Sequence, residues 1–205
     1  MSYPNRYDAE IIWQQGIDYS RAHHVKSPQI DKEYIFHTQG VAKLSELLAQ
    51  KMSLNEEKAY VLGLLHDHGK RQDERQQDCF HGILGYRDML SLGYTDVAQI
   101  CLTHTFVNKD FSNEDYSYPD HWLDECRSLL KPLIYSDYDL IIQYADMFFE
   151  GLSCVTPEQR IEGITSRYQL SAQQEYSLRQ TVTYLKTTID NKCLCDTYQF
   201  LEIIK

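Results

Sequence analysis

Apolar positions along this chain recur at helical spacing nearly from end to end, the mark of helices that each bury one face. The segment Asp8 to His24 carries Ile11, Ile12, Trp13, Ile17 and Tyr19, and Pro28 closes that region. A second helix is predicted from Asp31 to Lys51, with Tyr34, His37, Val41, Leu44 and Leu48 on one face. Ser53-Leu-Asn-Glu56 reads as a capping box, in which the serine accepts from an early backbone N–H and Glu56 reaches back. The helix behind it is predicted from Leu54 to His66, with Gly69 marking its end. The strongly polar run Arg71 to Asp78 reads as a solvated loop. Helical spacing resumes from His81 to Leu90 and breaks at Leu92-Gly93-Tyr94. It restarts behind Thr95, taken as an N-cap, on a helix that carries Val97, Ile100, Cys101 and His104.

From Val107 to Pro119 the chain is rich in Asn, Asp, Ser and Tyr, which predicts a loop placed to lie over a site. Two helices follow, at Pro119 to Leu130 and Asp137 to Glu150. Thr156-Pro157 supplies a cap and a proline at the first helical position of another. Ser171-x-x-Gln174 opens a long helix to about Asp190, and a short helix ends the chain. No period-two strand and no Asn-Gly hairpin is visible, so the fold class expected is all-α. The length, 205 residues, suits one domain. Its core is expected over about residues 31–151, with a helical extension over 152–205.

Composition changes this picture little, since 42% hydrophobic and 24% charged residues are ordinary globular values. No stretch approaches the roughly 20 apolar residues of a membrane helix, so no membrane partner is expected. Residues 1–10 are polar and acidic, unlike a secretory signal, and the expected compartment is the cytoplasm. Six cysteines are read as reduced thiols. Cys193-Leu-Cys195 has the wrong spacing for a redox pair and lacks the second pair of a zinc site. The net charge of −10 disfavours a nucleic-acid polymer as partner. It does not exclude a small anion, because bound metal ions invert the local field.

The chemistry concentrates in Gly63-Leu-Leu-His66-Asp67-His68-Gly69-Lys70. Neighbours on a helix diverge by about 100°, yet at a helix end His66 and Asp67 both reach one ion from adjacent directions. The two oxygens of Asp67 also suit it to bridge two ions. Further ligand types stand at core-facing positions. His37 lies on its helix's apolar stripe, His81 opens its segment, and His104 follows Val97, Ile100 and Cys101 at helical spacing. Asp146 interrupts the apolar run Leu140 to Phe149, where an acid is costly unless paired or metal-bound. A lone histidine on such a face is more often a hydrogen-bonded core residue. Here several helices each offer a ligand type toward one centre, as helical bundles that bind metal do.

The ordered set His37, His66-Asp67, His81, His104, Asp146 resembles the HD superfamily of metal-dependent phosphohydrolases over about residues 31–151, and His66 to Lys70 is similar to that family's His-Asp-x-Gly-Lys motif. The resemblance implies an HD-type helical bundle. It implies that His37, His66, Asp67 and Asp146 hold a first metal. His81 and His104 match the extra histidines of members with two metals, where the aspartate bridges. Lys70 matches a lysine that contacts substrate phosphate; the plainer reading of Lys70 is a cation offsetting the helix dipole. His68 departs from the motif, where an apolar residue is commoner, and is expected at solvent or the pocket rim. Nitrogen and carboxylate ligands without thiolate favour Fe or Mn, with Mg, Co and Ni open. The implied reaction is hydrolysis of a phosphate ester or anhydride, most naturally of a nucleotide, with Asp67 and Lys70 as catalytic residues. Water activated at the metals would be the nucleophile. Arg71, Arg75 and Lys109 are candidate outer phosphate contacts, and Tyr116 and Tyr118 candidate contacts to a base. Two other readings stay open: a non-catalytic module that binds metal or nucleotide, and a di-iron oxygenase on the same ligands. The oligomeric state is also open, a homodimer among the options.

Overall fold

The computed structural model describes residues 2–204, apart from the side chain of Arg75. The chain is helical nearly throughout, as its periodicity predicts. Helix α1 (Arg6–Ala22) starts where the Asn5 side chain accepts from the Asp8 N–H. Helix α2 (Pro28–Lys51) begins earlier than predicted: Ser27 caps it by accepting from the Ile30 N–H, and Pro28 opens the helix instead of closing the region before it. A proline fits there because its missing N–H has no helical partner to lose. Helix α3 (Glu56–Leu65) is capped by Asn55, which accepts from the Lys58 N–H. Ser53 is left-handed, at φ +55°, so the Ser53–Glu56 box expected from sequence does not form.

The run Arg71 to Asp78 is not a plain solvated loop. A 3-10 turn over His68–Arg71 leads into the short helix α4 (Glu74–Gln77). Helices α5 (His81–Ser91) and α6 (Thr95–Thr103) follow, and Thr95 is the first helical residue of α6, behind Tyr94, with no side-chain cap. After α7 (Asp120–Leu130), helix α8 (Asp137–Ala145) starts on a Ser136–Asp139 capping box. It ends short of the predicted Glu150. Asp146–Phe148 tightens into a 3-10 turn, and Phe149–Glu150 pairs antiparallel with Ser153–Cys154. This small hairpin corrects the expectation of no strand; Gly151 turns it with a positive φ of 57°. Helices α9 (Pro157–Tyr168) and α10 (Ala172–Cys193) open on capping boxes, Thr156 with Gln159 and Ser171 with Gln174. Helix α11 (Leu201–Ile204) is the last.

The main core joins α1, α2, α3, α6 and α8, with Trp13, Leu44, Leu64, Ile100 and Ile142 all buried. The segment after Gly151 packs into that same core through Leu185, Ile189, Cys193 and Phe200. A buried hydrogen bond of 2.6 Å joins the Tyr144 and Thr197 hydroxyls across it. A second apolar cluster, around Phe80, Phe106, Phe111 and Trp122, fixes α7 and the loop before it to α5 and α6. Among the described residues no helix is long and apolar enough to cross a membrane, and all six cysteines are free thiols.

Candidate metal centre

The apolar helix α3 drives its own C-terminus into the interior, delivering His66 as its last cap residue and Asp67 immediately beyond, both fully buried. The 3-10 turn that follows presses on α5. A Cβ on Gly69 would stand 1.8 Å from the carbonyl oxygen of His81, so only glycine lets the first turn of α5 come this close to Asp67. His37 arrives from the middle of α2, His104 from the C-cap of α6, and Asp146 from the C-cap of α8.

These six side chains form two groups that share an edge. His37, His66 and Asp146 make one, and Asp67, His81 and His104 the other, the ligand atoms of each lying within 4.8 Å of one another. His37 Nε2 is 2.9 Å from Asp146 Oδ1 and 3.3 Å from His66 Nε2. His81 Nε2 and His104 Nε2 are also 3.3 Å apart. Asp67 stands between the groups. Its Oδ2 lies 3.5 Å from His66 Nε2 and 3.7 Å from His37 Nε2. Its Oδ1 lies 3.4 Å from both His81 Nε2 and His104 Nε2.

The outer nitrogens set how the rings face inward. His66 Nδ1 is 2.7 Å from the Gly63 carbonyl, and His104 Nδ1 is 3.2 Å from that of Ile100. A carbonyl only accepts, so Nδ1 carries a proton on each ring and Nε2 is the nitrogen turned toward the centre. His81 Nδ1 donates likewise to Glu74 Oε1 at 2.9 Å. His81 and His104 thus turn Nε2 lone pairs toward one another at 3.3 Å, which repel unless a cation or a proton lies between them, whereas His37 Nε2 faces the Asp146 carboxylate. Ligand atoms about 2.0–2.2 Å from one ion fall roughly 3.0–3.4 Å apart. The edges of the Asp67–His81–His104 group lie in that range, at 3.3–3.4 Å, and those of the His37–His66–Asp146 group run from 2.9 to 3.9 Å. Asp67 Oδ1 is buried and accepts no hydrogen bond among the described residues, which is costly for a carboxylate unless a cation takes it. The donor set therefore fits divalent ions in both groups.

Electrostatics agree with this. Burial pushes the His66 imidazole down to about 4, outweighing the pull of Asp67 and Asp146, so the ring is neutral at neutral pH. Burial works against ionisation of Asp67, yet Lys70 and His66 hold its carboxyl well below the usual range. Asp146 is held low in the same way, its burial overcome by His37. For His81, burial disfavours the charged ring, but Asp67 and Glu74 together shift it upward.

The candidate substrate-contact residues divide. Lys70 Nζ donates to Asp67 Oδ2 at 2.6 Å and stays partly open to the cleft. Arg71 lines the cleft but is engaged by Asp88. The Lys109 ammonium donates to the Leu133 carbonyl at 2.7 Å and lines neither cavity at the centre, so the expectation of a phosphate contact there is withdrawn. The Arg75 side chain lies outside the described residues. His68 is buried, with Nε2 3.6 Å from Asp88 Oδ2, and not at the rim as expected, because the tight turn folds its ring back against α1 and α5.

Two cavities meet at the centre, one of about 570 Å³ on the His37 side and one of about 290 Å³ on the His81–His104 side. Tyr116 and Tyr118, from the predicted loop, line the smaller one. Tyr118 packs on Phe80 and Tyr116 on Phe106, each pair with ring centroids 4.9 Å apart. The sequence reading missed Glu74, hidden in a run that looks merely solvated. It also missed Arg160, Arg167 and Tyr168 of α9, which line both cavities and lie beyond the stretch that carries the motif.

Comparison with known proteins returns one family match, to the family described as "HD domain", over residues 34–148, more than half of the chain and spanning all six ligand-type residues. No curated protein and no solved structure shows a significant match.

Proposed function

The chain belongs to the HD-domain family, a superfamily of metal-dependent phosphohydrolases whose domains bind divalent metals, and on that premise we propose that it hydrolyses a phosphate ester or anhydride of a nucleotide at a binuclear centre. His37, His66 and Asp146 would hold one ion, His81 and His104 the other, with Asp67 bridging. The observation that carries this reading is the division of the Asp67 oxygens, Oδ2 toward one group and Oδ1 toward the other, at 3.4–3.7 Å. The nitrogen and carboxylate donors favour Fe or Mn. Bound there, such ions would polarise a phosphoryl oxygen and lower the pKa of a coordinated water.

The protein's own part is to orient and to neutralise. Lys70, its positive form favoured by Asp67 despite burial, offers N–H donors to a phosphoryl oxygen at the cleft floor. Asp67 is held in place by that lysine, and its other oxygen accepts no hydrogen bond among the described residues. Nδ1 donation to Gly63, Ile100 and Glu74 locks three imidazoles in the tautomer a ligand needs. The larger cavity has the volume of a small-molecule site. The tyrosines of the smaller one give a flat base an aromatic wall. A small phosphorylated molecule is therefore the partner, and an acidic chain has little to offer a nucleic-acid polymer.

The test is elemental analysis of protein purified without chelator, followed by a panel of nucleotide mono- and diesters and anhydrides. The wild type is expected to hold about two equivalents of metal and to release phosphate or nucleotide. Asp67→Ala is expected to lose metal and to lower kcat by on the order of 10³-fold, the worth of several kcal/mol of electrostatic stabilisation. A metal-loaded wild type inert across the whole panel would overturn the hydrolase.

A further inference from the structure

Helix α9 lies outside the family match, yet it forms a wall shared by both cavities. Arg160, Gly163 and Arg167 fall on one face of it, three and four residues apart. Both arginines converge on the carboxylate of Glu150, which the small hairpin holds out over that face. The carboxylate sits directly on Gly163: a Cβ there would meet Glu150 Cδ at 3.0 Å and its oxygens at 3.1 and 3.2 Å. A mid-helix glycine costs about 1 kcal/mol against alanine, and here it opens a seat of carboxylate size between two guanidinium groups. The seat is not a simple surface ion pair. The Arg160 side chain is 13% exposed, and its Nε is buried with no hydrogen-bond partner among the described residues. One donor of a fork built for planar or tetrahedral oxyanions is thus unused. Lys70 lines the same two cavities as the arginines and stands at Asp67.

We propose that Arg160 and Arg167, seated across Gly163, form a second phosphate-binding subsite beside the metal centre, over which Glu150 closes as an internal competitor. The substrate is then an oligophosphate, carrying a phosphoryl group beyond the one engaged at Lys70. This substrate class rests on the phosphohydrolase reading; the anion seat itself does not. A bound oligophosphate displaces the Glu150 carboxylate, and the hairpin swings free of α9. The alternative is a latch that only fastens α9 to the hairpin.

The test uses inorganic tripolyphosphate and the metal-free full-length protein in EDTA, with binding followed by calorimetry. Glu150→Gln removes the competitor and is expected to tighten binding about tenfold, whereas Arg160→Gln and Arg167→Gln each weaken it at least fivefold. Arg160→Lys, which keeps the charge, is expected to recover part of that loss if the fold is intact by thermal melting. Glu162→Gln, an exposed charge on the same helix, controls for net charge and is expected to leave binding unchanged. Glu150→Gln binding no tighter than wild type, or Glu162→Gln tightening as much, overturns the subsite. With metal restored, Arg167→Gln is expected to raise KM for a nucleoside triphosphate and to leave KM for p-nitrophenyl phosphate within twofold; an equal rise for both overturns it in favour of the latch. If tripolyphosphate binds as expected but no phosphate ester is turned over, the seat stands and the hydrolase reading falls.

Discussion

Asp67 shows what a single residue contributes to this centre. It is buried, ionised and flanked by four imidazoles, and Lys70 gives it a hydrogen bond of 2.6 Å. Its neighbours set the acid behaviour of the protein. His66, pushed down to about 4 by burial, and His68, lowered mainly by burial, take up a proton less readily folded than unfolded. As pH falls below the unfolded value of about 6.5, the unfolded chain gains protons that these rings refuse, so stability declines. His81 is shifted upward and has the opposite sign. The stability it adds is complete below 6.5 and constant there, so it does not mask the decline. The low carboxyls of Asp67 and Asp146 act only near and below the unfolded carboxylate range. The melting temperature of metal-free protein should therefore fall steadily between pH 6.5 and 4. A level or rising profile would mean that these two rings are not buried neutral.

Short elements do as much for the site as long ones. Helix α4 has four residues, yet it holds Glu74 2.9 Å from His81 Nδ1. Burial works against the Glu74 charge, but His81 keeps the carboxyl below its ordinary value. Outer partners of this kind are typically worth 10–100-fold in metal affinity. On the binuclear proposal, Glu74→Gln is accordingly expected to weaken binding of an ion between Asp67, His81 and His104 by about that factor, and to leave binding between His37, His66 and Asp146 unchanged. Stepwise metal titration reads the two affinities separately, and equal weakening of both would count against Glu74 as a partner of one site. The early end of α8 matters similarly. The 3-10 turn at Asp146 and the hairpin behind it turn Glu150 back toward α9, where an uninterrupted helix would carry it onward.

On the scale of the whole molecule, the helices after Gly151 are built into the common core. Leu185, Ile189, Cys193 and Phe200 pack with the residues of α2 and α8, and Thr197 meets Tyr144 inside. Burying a single large aliphatic side chain contributes about 1.5–3 kcal/mol, and a domain's whole stability is about 5–15 kcal/mol. A chain cut after Gly151 should therefore lose its cooperative thermal transition and expose apolar surface to a dye such as ANS. A sharp melt in the truncated chain would show that residues 2–151 fold independently.

The sequence alone determined the helical class, the order of the ligand-type residues and most helix starts, because these depend on spacing and local capping. Thr156-Pro157 and Ser171 with Gln174 cap as their sequence implies, since a cap is decided within four residues. Ser53 failed because Asn55, two residues on, takes the cap instead. Local pattern says nothing of what packs on a segment from elsewhere in the chain. The polar run around Glu74 looks solvated until His81 is brought against it, and His68 looks like a rim residue until the turn folds it inward. Arg160 and Arg167 carry no signal at all, because nothing near them in sequence is ligand-like. Only the tertiary structure decided that the two oxygens of Asp67 face different groups, and that α9 closes the cleft. Both depend on helices distant in sequence being held within a few ångströms, and that placement is set by packing.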